Sequence, residues 1–334
     1  MGTKGVSIDE KPAKRFAGFP FHSKWLVRTL VRAAAVLVCV VVAVFFIIRL
    51  VPGDPAKMIL GEYATPEAIA DMRQKLGLDL PVWEQFMRFV KNLLINGDAG
   101  DSIVYGTPAR ELIAQSAPVT LLLVAFSTVI TIVVSLTLSI LAATHKNGLL
   151  DHLIRVLPTI TLGMPVFWVG LLLIMFFSVH LGWFPVSGIG KGTAGTLHSL
   201  TLPAVTVAFS QIPSLVRSLR TQMLEVLESD FVVALKAMGV PPRVLLIKHV
   251  LRNSALPALM LLGVKLSYLI GGTLVVEQVF GIRGMGSLLF TAISNRDFPV
   301  IQGIALYCAL GVVLLGVLIE LASGLLDHRT KGEQ

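Results

Sequence analysis

Charged residues are scarce in this sequence. Only 14% of its 334 residues are Asp, Glu, Lys or Arg, whereas 54% are hydrophobic. The mean hydropathy of +0.80 is typical of a chain with several apolar segments of about 20 residues, the length that crosses a hydrocarbon core roughly 30 Å thick. The composition therefore excludes a large soluble domain and predicts an all-α polytopic membrane protein.

Cysteine is almost absent. Cys39 and Cys308 both lie inside apolar runs, with no further ligand at the spacing of a metal site, so we predict neither a disulfide framework nor a bound metal. An ATP-binding loop of the form G-x-x-x-x-G-K-[ST] is also missing, because Gly190-Lys191-Gly192 lacks both the upstream glycine and the following hydroxyl. We therefore expect no ATP hydrolysis and no bound cofactor in this chain. Because no buried His-Ser or paired-carboxylate arrangement occurs at helical spacing either, we predict no catalytic residues.

The net charge of +8 is explained by membrane topology. The Lys and Arg residues cluster beside apolar runs, and no aromatic and basic stripe accompanies them. A nucleic-acid partner is therefore not predicted.

Long uncharged stretches predict six membrane-spanning helices. They are residues 33–51, 117–143, 156–183, 197–216, 254–276 and 300–322. The tail before them, residues 1–32, carries seven basic residues against two acidic ones, and the positive-inside tendency places such a tail in the cytoplasm. An even number of spans returns the C-terminal tail, residues 327–334, to the same side.

Residues 52–116 form the long external segment of this topology. They carry six basic residues against nine acidic ones, so their charge agrees with an outside location. Helix-start and helix-stop residues predict two short helices, from Pro66 to about Leu76 and from Pro81 to Leu94, the second stopped by Asn96-Gly97. We expect a cap or a docking surface here rather than a catalytic domain.

A charged hairpin, residues 225–253, separates the fourth and fifth predicted spans. Ser229 or Asp230 can cap a helix that ends at Gly239, and Pro241-Pro242 starts a second helix. Helical spacing predicts an apolar face in each: Phe231, Val232, Leu235 and Met238 in the first, and Val244, Ile247 and Leu251 in the second. From the pattern alone, the hairpin fits equally a helix on the membrane surface and an attachment point for a soluble partner. Pro257 is expected in the first turn of the next span, where its missing N–H costs little.

Several short motifs occur in a specific order along the chain. They are Arg49-Leu-Val-Pro-Gly-Asp-Pro55, Leu76-Gly-Leu-Asp-Leu-Pro81, Asn96-Gly-Asp-Ala-Gly-Asp-Ser102, Trp183-Phe-Pro-Val-Ser-Gly188, His249-Val-Leu-Arg-Asn-Ser-Ala-Leu-Pro257, Gly271-Gly-Thr-Leu-Val-Val-Glu-Gln-Val-Phe280 and Arg296-Asp-Phe-Pro299. In these motifs and their order, the chain resembles the permease subunits of ABC importers of the dipeptide, oligopeptide and nickel group.

The resemblance implies the type-1 importer fold over residues 117–326, in a multi-pass protein of the bacterial inner membrane. It also implies the partners: a second permease, two ATPase subunits that bind ATP and Mg, and an extracytoplasmic solute-binding protein. The hairpin then corresponds to the coupling helix, which rests in a groove of the ATPase. Its predicted contact residues are Phe231, Ala234, Lys236, Ala237, Gly239, Arg243, His249 and Arg252. Val233 and Leu235 depart from the family pattern, which has an acidic and a small residue at these positions.

Polar residues within the membrane are candidates for the translocation pathway. Lys265 lies about halfway along the fifth predicted span, where an unpaired cation costs roughly 2.5 to 3.5 kcal/mol on insertion scales. We therefore expect Lys265 to face a water-filled pathway or to pair with a group of the second permease. Glu277 and Phe280 match the family pattern and are predicted to pack at an external gate, and the pair Gly271-Gly272 is predicted to allow close backbone approach.

A self-sufficient ion-coupled transporter is the alternative function. It requires titratable groups near the bilayer midplane, whereas Glu277 and Glu320 lie near span ends and Lys265 stands alone. Among solutes, the resemblance favours peptides, and it leaves open nickel chelates, opines, glutathione and sugar oligomers.

Overall fold

The computed structural model describes residues 23–50, 54–61, 64–75 and 77–326, and its regular structure is helical. The α-helices are α1 (Ser23–Leu50), α2 (Pro55–Leu60), α3 (Pro66–Lys75), α4 (Val82–Asn96), α5 (Ala109–Thr144), α6 (Leu149–Leu162), α7 (Val166–Leu173), α8 (Gly192–Leu227), α9 (Asp230–Ala237), α10 (Pro242–Val244), α11 (Arg252–Val279), α12 (Met285–Ser294) and α13 (Phe298–Leu326). Two π-helical segments, Ile174–His180 and Leu245–Leu251, continue α7 and α10. The predicted all-α fold is confirmed for these ranges.

Four helices of the described chain are long and apolar enough to cross a membrane. Their qualifying segments are Val27–Ile47, Ala109–Thr144, Gly192–Leu227 and Phe298–Leu321. They correspond to the first, second, fourth and sixth predicted spans, and the total of six remains a prediction. Residues 23–32, which we assigned to the N-terminal tail, belong to α1. Residues 1–22 and the predicted tail 327–334 lie outside the described residues.

The third predicted span is not one continuous helix, which corrects the prediction for residues 156–183. It is divided into α6 and α7 by a turn at Gly163 and Met164, where the N–H of Met164 donates to the carbonyl of Thr161 at 3.2 Å. Pro165 then begins the second part. Proline cannot donate a helical hydrogen bond and disfavours helical backbone in the residue before it, so the helix stops and restarts here.

Pro257 lies inside a helix rather than in its first turn, contrary to the prediction. The π-helical segment Leu245–Leu251 runs directly into α11, so that five residues of α11 precede the proline. Proline removes one backbone hydrogen bond and displaces the preceding turn. The axis accordingly bends by 50° between Pro242–Ala255 and Pro257–Leu269, and the two parts together qualify as a fifth span if counted as one.

The helices α5 and α8 pack along each other through small and hydroxyl side chains. The buried positions of α5 recur at about every fourth residue and include Thr120, Leu123, Ser127, Thr131, Ser135 and Ser139. Side chains of this size let two helix backbones approach closely. Ser139 Oγ donates to the carbonyl of Val216 in α8 at 3.3 Å. This helix pair, joined by α7 and α11, surrounds the largest apolar core.

A buried ion pair joins α8 to the start of α6. The carboxylate of Asp151 is fully buried and accepts from Arg220 Nε at 2.5 Å and from Arg220 Nη2 at 2.8 Å. The N–H of Asn147 donates to the same carboxylate at 3.0 Å, and Arg155 Nε lies 3.7 Å away. The hydrogen bond from Arg220 holds the pKa of Asp151 at about 2, below its ordinary value of 3.8. The pair therefore stays ionised and fixes the ends of α6 and α8.

Replacing Arg220 with glutamine is expected to lower the free energy of unfolding by about 3 kcal/mol at pH 7, because it leaves a buried carboxylate without its main partner. The matched change Arg155→Gln should cost less than about 1 kcal/mol, since Arg155 is exposed and more distant. The depressed pKa of Asp151 means that the stabilisation is present above a pH of about 4 and is lost as the pH falls toward 2. Thermal unfolding of the purified variants across this pH range checks both points, and equal losses in the two variants would contradict the assignment.

Both predicted helices of the external segment are confirmed, as α3 and α4. The helix α4 ends at the predicted stop, Asn96-Gly97. Gly97 has a left-handed backbone there, and its N–H donates to the carbonyl of Leu93. Leu76, the expected end of the first helix, lies outside the described residues. The short helix α2 was not predicted; Asp54 caps it by accepting from the N–H of Ala56 at 3.1 Å.

Two motifs that lie far apart in the sequence meet in the structure. The buried carboxylate of Asp297, between α12 and α13, accepts from Ser102 Oγ and, at 3.1 Å, from the N–H of Ile103. The hydroxyl of Tyr307 in α13 donates to the carbonyl of Gly97 at 2.7 Å. The end of the external segment is thereby held against α13 by side-chain contacts.

Candidate coupling hairpin

The hairpin of residues 225–253 leaves the bundle at the end of α8 and returns through the π-helical segment into α11. Ser229 occupies the position before α9, as predicted, but its Oγ donates to the carbonyl of Val226 at 2.5 Å instead of capping α9. The predicted restart at Pro241-Pro242 is confirmed, because Pro242 is the first residue of α10.

Gly239 closes α9 with a backbone conformation that glycine favours. Its φ is +79°, a region in which L side chains are strained. The N–H of Gly239 donates to the carbonyl of Lys236 at 3.0 Å, and the N–H of Val240 donates to the carbonyl of Leu235 at 3.1 Å. An added Cβ would meet no atom within 4 Å. Glycine is therefore favoured at this position by the left-handed backbone conformation and not by steric crowding.

Buried apolar side chains hold the hairpin against the ends of α5 and α8. Val232 of α9 packs in one cluster with Met223 of α8, Ala143 of α5, and Leu245 and Val250 of the π-helical segment. This contact makes the hairpin a firm extension of the bundle.

The predicted apolar faces are partly wrong. In α9, Val232 is buried and Leu235 is half-buried, but Phe231 and Met238 are exposed.

In the second half of the hairpin, Leu245 and Val250 are buried, whereas Val244 and Ile247 are exposed. In residues 245–251, the wider turn of the π-helix, which bonds residue i to i+5, changes which residues share a face. An α-helical periodicity applied to the sequence therefore selects the wrong side chains.

The outer surface of the hairpin combines small, apolar and cationic side chains. Of the eight predicted contact residues, seven are exposed: Phe231, Ala234, Lys236, Ala237, Gly239, Arg243 and Arg252. The eighth, His249, is half-buried. The sequence prediction did not include Ile247 as a contact residue, and Val233 was noted only as a departure from the family pattern. Both are exposed and enlarge the apolar part of this surface.

An ion pair outside the membrane-spanning helices braces the base of the hairpin. Lys146, after α5, contacts Glu228, which follows α8. The hydrogen bond from Lys146 lowers the pKa of the Glu228 carboxyl. The pairing neutralises one of the three acidic groups of the hairpin. It leaves two carboxylates, Glu225 and Asp230, against four cationic side chains, so that the hairpin is net basic: Lys236, Arg243, Lys248 and Arg252.

At the far end of α11, Glu277 is fully buried and joins three helices. Its Oε1 accepts from Thr120 Oγ1 of α5 at 2.7 Å, and its Oε2 accepts from the N–H of Ser287 at 3.0 Å. The N–H of Gly286 also donates to this carboxylate. Thr120 Oγ1 in turn accepts from the N–H of Met285 at 2.8 Å. The first three N–H groups of α12 are thus satisfied by side chains from α5 and α11, in place of a normal N-cap.

Gly284 makes this arrangement possible. It occupies the N-cap position of α12, and an added Cβ would lie 2.5 Å from the carboxyl atoms of Glu277. Phe280, one turn beyond Glu277, is buried in the main core, and its carbonyl accepts from the N–H of Gly188 at 3.0 Å. The packing predicted for Glu277 and Phe280 is present, and their role as a gate remains a prediction.

The other pathway candidates on α11 differ from Glu277. No other part of the described chain closely approaches Gly272, which is exposed and where an added Cβ would meet nothing within 4 Å, so close backbone approach at this residue stays a prediction. The surroundings of Gly271 lie outside the described part of the chain. Lys265 is half-buried, and it forms no ion pair with the described residues.

The long apolar helices of this bundle define a multi-pass membrane protein, and its basic and partly apolar hairpin is left uncovered by the rest of the described chain. Residues 135–332 match the family described as binding-protein-dependent transport system inner membrane component, and residues 22–124 match the N-terminal family of the same systems. The chain belongs to the family of binding-protein-dependent transport system inner membrane components.

Curated relatives agree with this membership, and a solved structure shares the fold. The probable peptide ABC transporter permease protein y4tP of Sinorhizobium fredii is 35% identical, over 92% of this chain and 99% of its own length. The dipeptide transport system permease protein DppB of Alkalihalophilus pseudofirmus is 32% identical, over 92% of this chain and 99% of its own length. The structure of the methionine ABC transporter MetNI in inward-facing conformations matches with a TM-score of 0.56 at 16% identity, and covers 66% of this chain and 98% of that one. This last likeness concerns the fold alone.

Proposed function

We propose that this chain and a second permease enclose the translocation pathway of an ATP-driven importer of peptides. Family membership supports the transport role, and the names of the relatives support the peptide class. The single structural observation that carries the proposal is the outer surface of the hairpin, which no other part of the described chain covers. ATP and Mg bind to two separate ATPase subunits, and a solute-binding protein delivers the peptide.

In the proposed orientation, the hairpin and both termini face the bacterial cytoplasm. The basic hairpin and the acidic segment 52–116 support this sidedness. The pair α6–α7 makes the third crossing and the bent α11 makes the fifth, so that six crossings result.

The hairpin transmits motion because it is stiff and continuous with two helices. ATP binding closes the ATPase subunits, and their movement displaces the exposed surface around Ala234 and Lys236. Val232 ties that surface to α5 and α8, and the π-helical segment carries the displacement into α11. The pathway then alternates between inward-open and outward-open states.

Uptake is expected to require the ATPase subunits. Proteoliposomes that contain both permeases, the ATPases, internal ATP and external binding protein should accumulate peptide, whereas those with permeases alone should not. A complex with an ATPase variant that binds but does not hydrolyse ATP is the matched control. If proteoliposomes with the permeases alone accumulated peptide, and a protonophore abolished this accumulation, the ion-coupled alternative would replace this proposal.

Lys265 is proposed to pair with an acidic group of the second permease, because it is half-buried and has no ionic partner among the described residues. We expect Lys265→Gln to reduce the yield of assembled complex, with an unchanged KM for peptide in the complex that does form. Arg283→Gln, at an exposed position beyond α11, serves as control. A raised KM in a fully assembled complex would instead assign Lys265 to the solute pathway.

A further inference from the structure

The helix α4 presents three different faces. One packs against the protein through Phe86, Phe89 and Leu93. A second, about a quarter turn away, carries Trp83, Met87 and Leu94 at helical spacing, and these side chains are 66%, 51% and 80% exposed. The third carries Glu84, Arg88 and Lys91, which are all exposed. A helix that faced only water and its own core would have polar side chains on the second face.

The packing of α4 places it at the end of a membrane-crossing segment. Phe45 of α1 is buried against Phe86 and Phe89, with ring centroids 5.0 and 5.5 Å apart. Arg49 Nη2 donates to Gln85 Oε1 of α4 at 2.6 Å. The apolar segment of α1 that can cross a membrane ends at Ile47, between these two contacts. The helix α4 therefore lies at the height where the hydrocarbon core of a bilayer gives way to headgroups.

The second face of α4 continues the outward-facing apolar surface of α1. Val38, Val42 and Phe46 are exposed along α1. The ring of Phe46 stacks on Phe86 at 6.3 Å, and Phe86 lies 5.8 Å from Trp83. Because these rings are adjacent, the environment that surrounds the exposed apolar face of α1 also surrounds the second face of α4.

We propose that α4 is an interfacial helix, with Trp83, Met87 and Leu94 among the acyl chains of the bilayer. Arg88 and Lys91, on the adjoining face, then reach the lipid phosphates, since long cationic side chains extend from apolar surface toward headgroups. Tryptophan at this level is typical of membrane interfaces. The bilayer thereby fixes the middle of the external segment, independently of which solute the protein carries.

Spin labels on α4 test the proposal in the assembled complex. Single cysteines replace Met87, Leu94 or, as matched control on the charged face, Glu84, in a background with Cys39→Ala and Cys308→Ala. Each labelled complex is placed in nanodiscs of phosphatidylethanolamine and phosphatidylglycerol. Collision rates are measured with oxygen, which concentrates in hydrocarbon, and with a water-soluble nickel complex.

We expect labels at positions 87 and 94 to collide frequently with oxygen and rarely with nickel, and the label at 84 to show the reverse. Frequent nickel collisions at 87 and 94 would overturn the proposal, because they would show that the face lies in water. Rare collisions with both reagents would also overturn it, since a protein partner would then cover the face. Each outcome is independent of peptide transport, so failure here leaves the proposed function unaffected.

Discussion

Uptake by a Gly239→Asp variant is expected to be abolished, although the protein still inserts into the membrane and assembles. The φ of +79° at this position costs a non-glycine residue about 1 to 2 kcal/mol. The added carboxylate would also place a negative charge beside Lys236 and Arg243, on the surface proposed to contact the ATPase. Because an added Cβ meets no atom within 4 Å, no clash prevents folding. Peptide uptake per ATP hydrolysed, measured in proteoliposomes, reports the loss of coupling.

Two further variants show whether lost uptake results from backbone strain or from the added negative charge on the hairpin. Gly192→Asp is the matched control, because Gly192 has a φ of +73°, meets nothing within 4 Å and lies at the opposite end of α8. Its uptake should remain near that of the unmodified protein. Gly239→Asn keeps a residue that tolerates left-handed backbone and adds no charge, so its loss should be smaller. Normal uptake by Gly239→Asp would show that this part of the hairpin does not contact the ATPase closely.

The second large effect is expected for Glu277→Gln, which should lower the free energy of unfolding by about 3 kcal/mol and reduce uptake. Both carboxylate oxygens of Glu277 accept hydrogen bonds. A glutamine amide has only one oxygen, and its NH₂ group would face another donor, so that a buried polar group is left without a partner. The start of α12 would lose part of its cap, and the contact between α5, α11 and α12 would loosen. Thermal unfolding of the purified complex measures the loss of stability.

The exposed residue Glu111 provides the control for Glu277. It lies in the first turn of α5, and Glu111→Gln should leave the melting temperature almost unchanged. Gly284→Ala should reproduce the defect of Glu277→Gln, because its Cβ would collide with the same carboxylate. Melting temperatures that do not change in Glu277→Gln and Gly284→Ala would contradict the capping role.

Local signals in the sequence predicted much of the hairpin and the external helices. The helix ends at Gly97 and Gly239 and the helix start at Pro242 depend on the backbone conformation of these residues themselves. Their effects therefore follow from residue type alone. The positions of Pro165 and Pro257 were also visible, but their consequences depend on the surrounding helices. A proline starts a helix or bends one according to whether the preceding turn is already helical, and the π-helical segment before Arg252 decided this for Pro257.

The partners of Glu277 were beyond sequence reasoning. Thr120 lies 157 residues earlier in the chain, and the N–H groups of Gly286 and Ser287 are backbone atoms that any residue carries. Only the packing of α5 against α11 and α12 brings them together. The exposed side of Ile247 was missed for a related reason, since nothing in residues 245–251 announces a change from α-helical to π-helical turns.

The bend at Pro257 divides the helical path from Pro242 to Val279 unequally. Fifteen residues of this path precede Pro257 and 22 follow it, and seven of the fifteen are π-helical, so the arm toward the hairpin is the shorter one. A rotation of this path about the proline would therefore move the end near Glu277 farther than the end at the hairpin. The bent helix would then convert a small displacement at the hairpin into a larger displacement near Glu277, and the position of Pro257 in the sequence would set the ratio of the two.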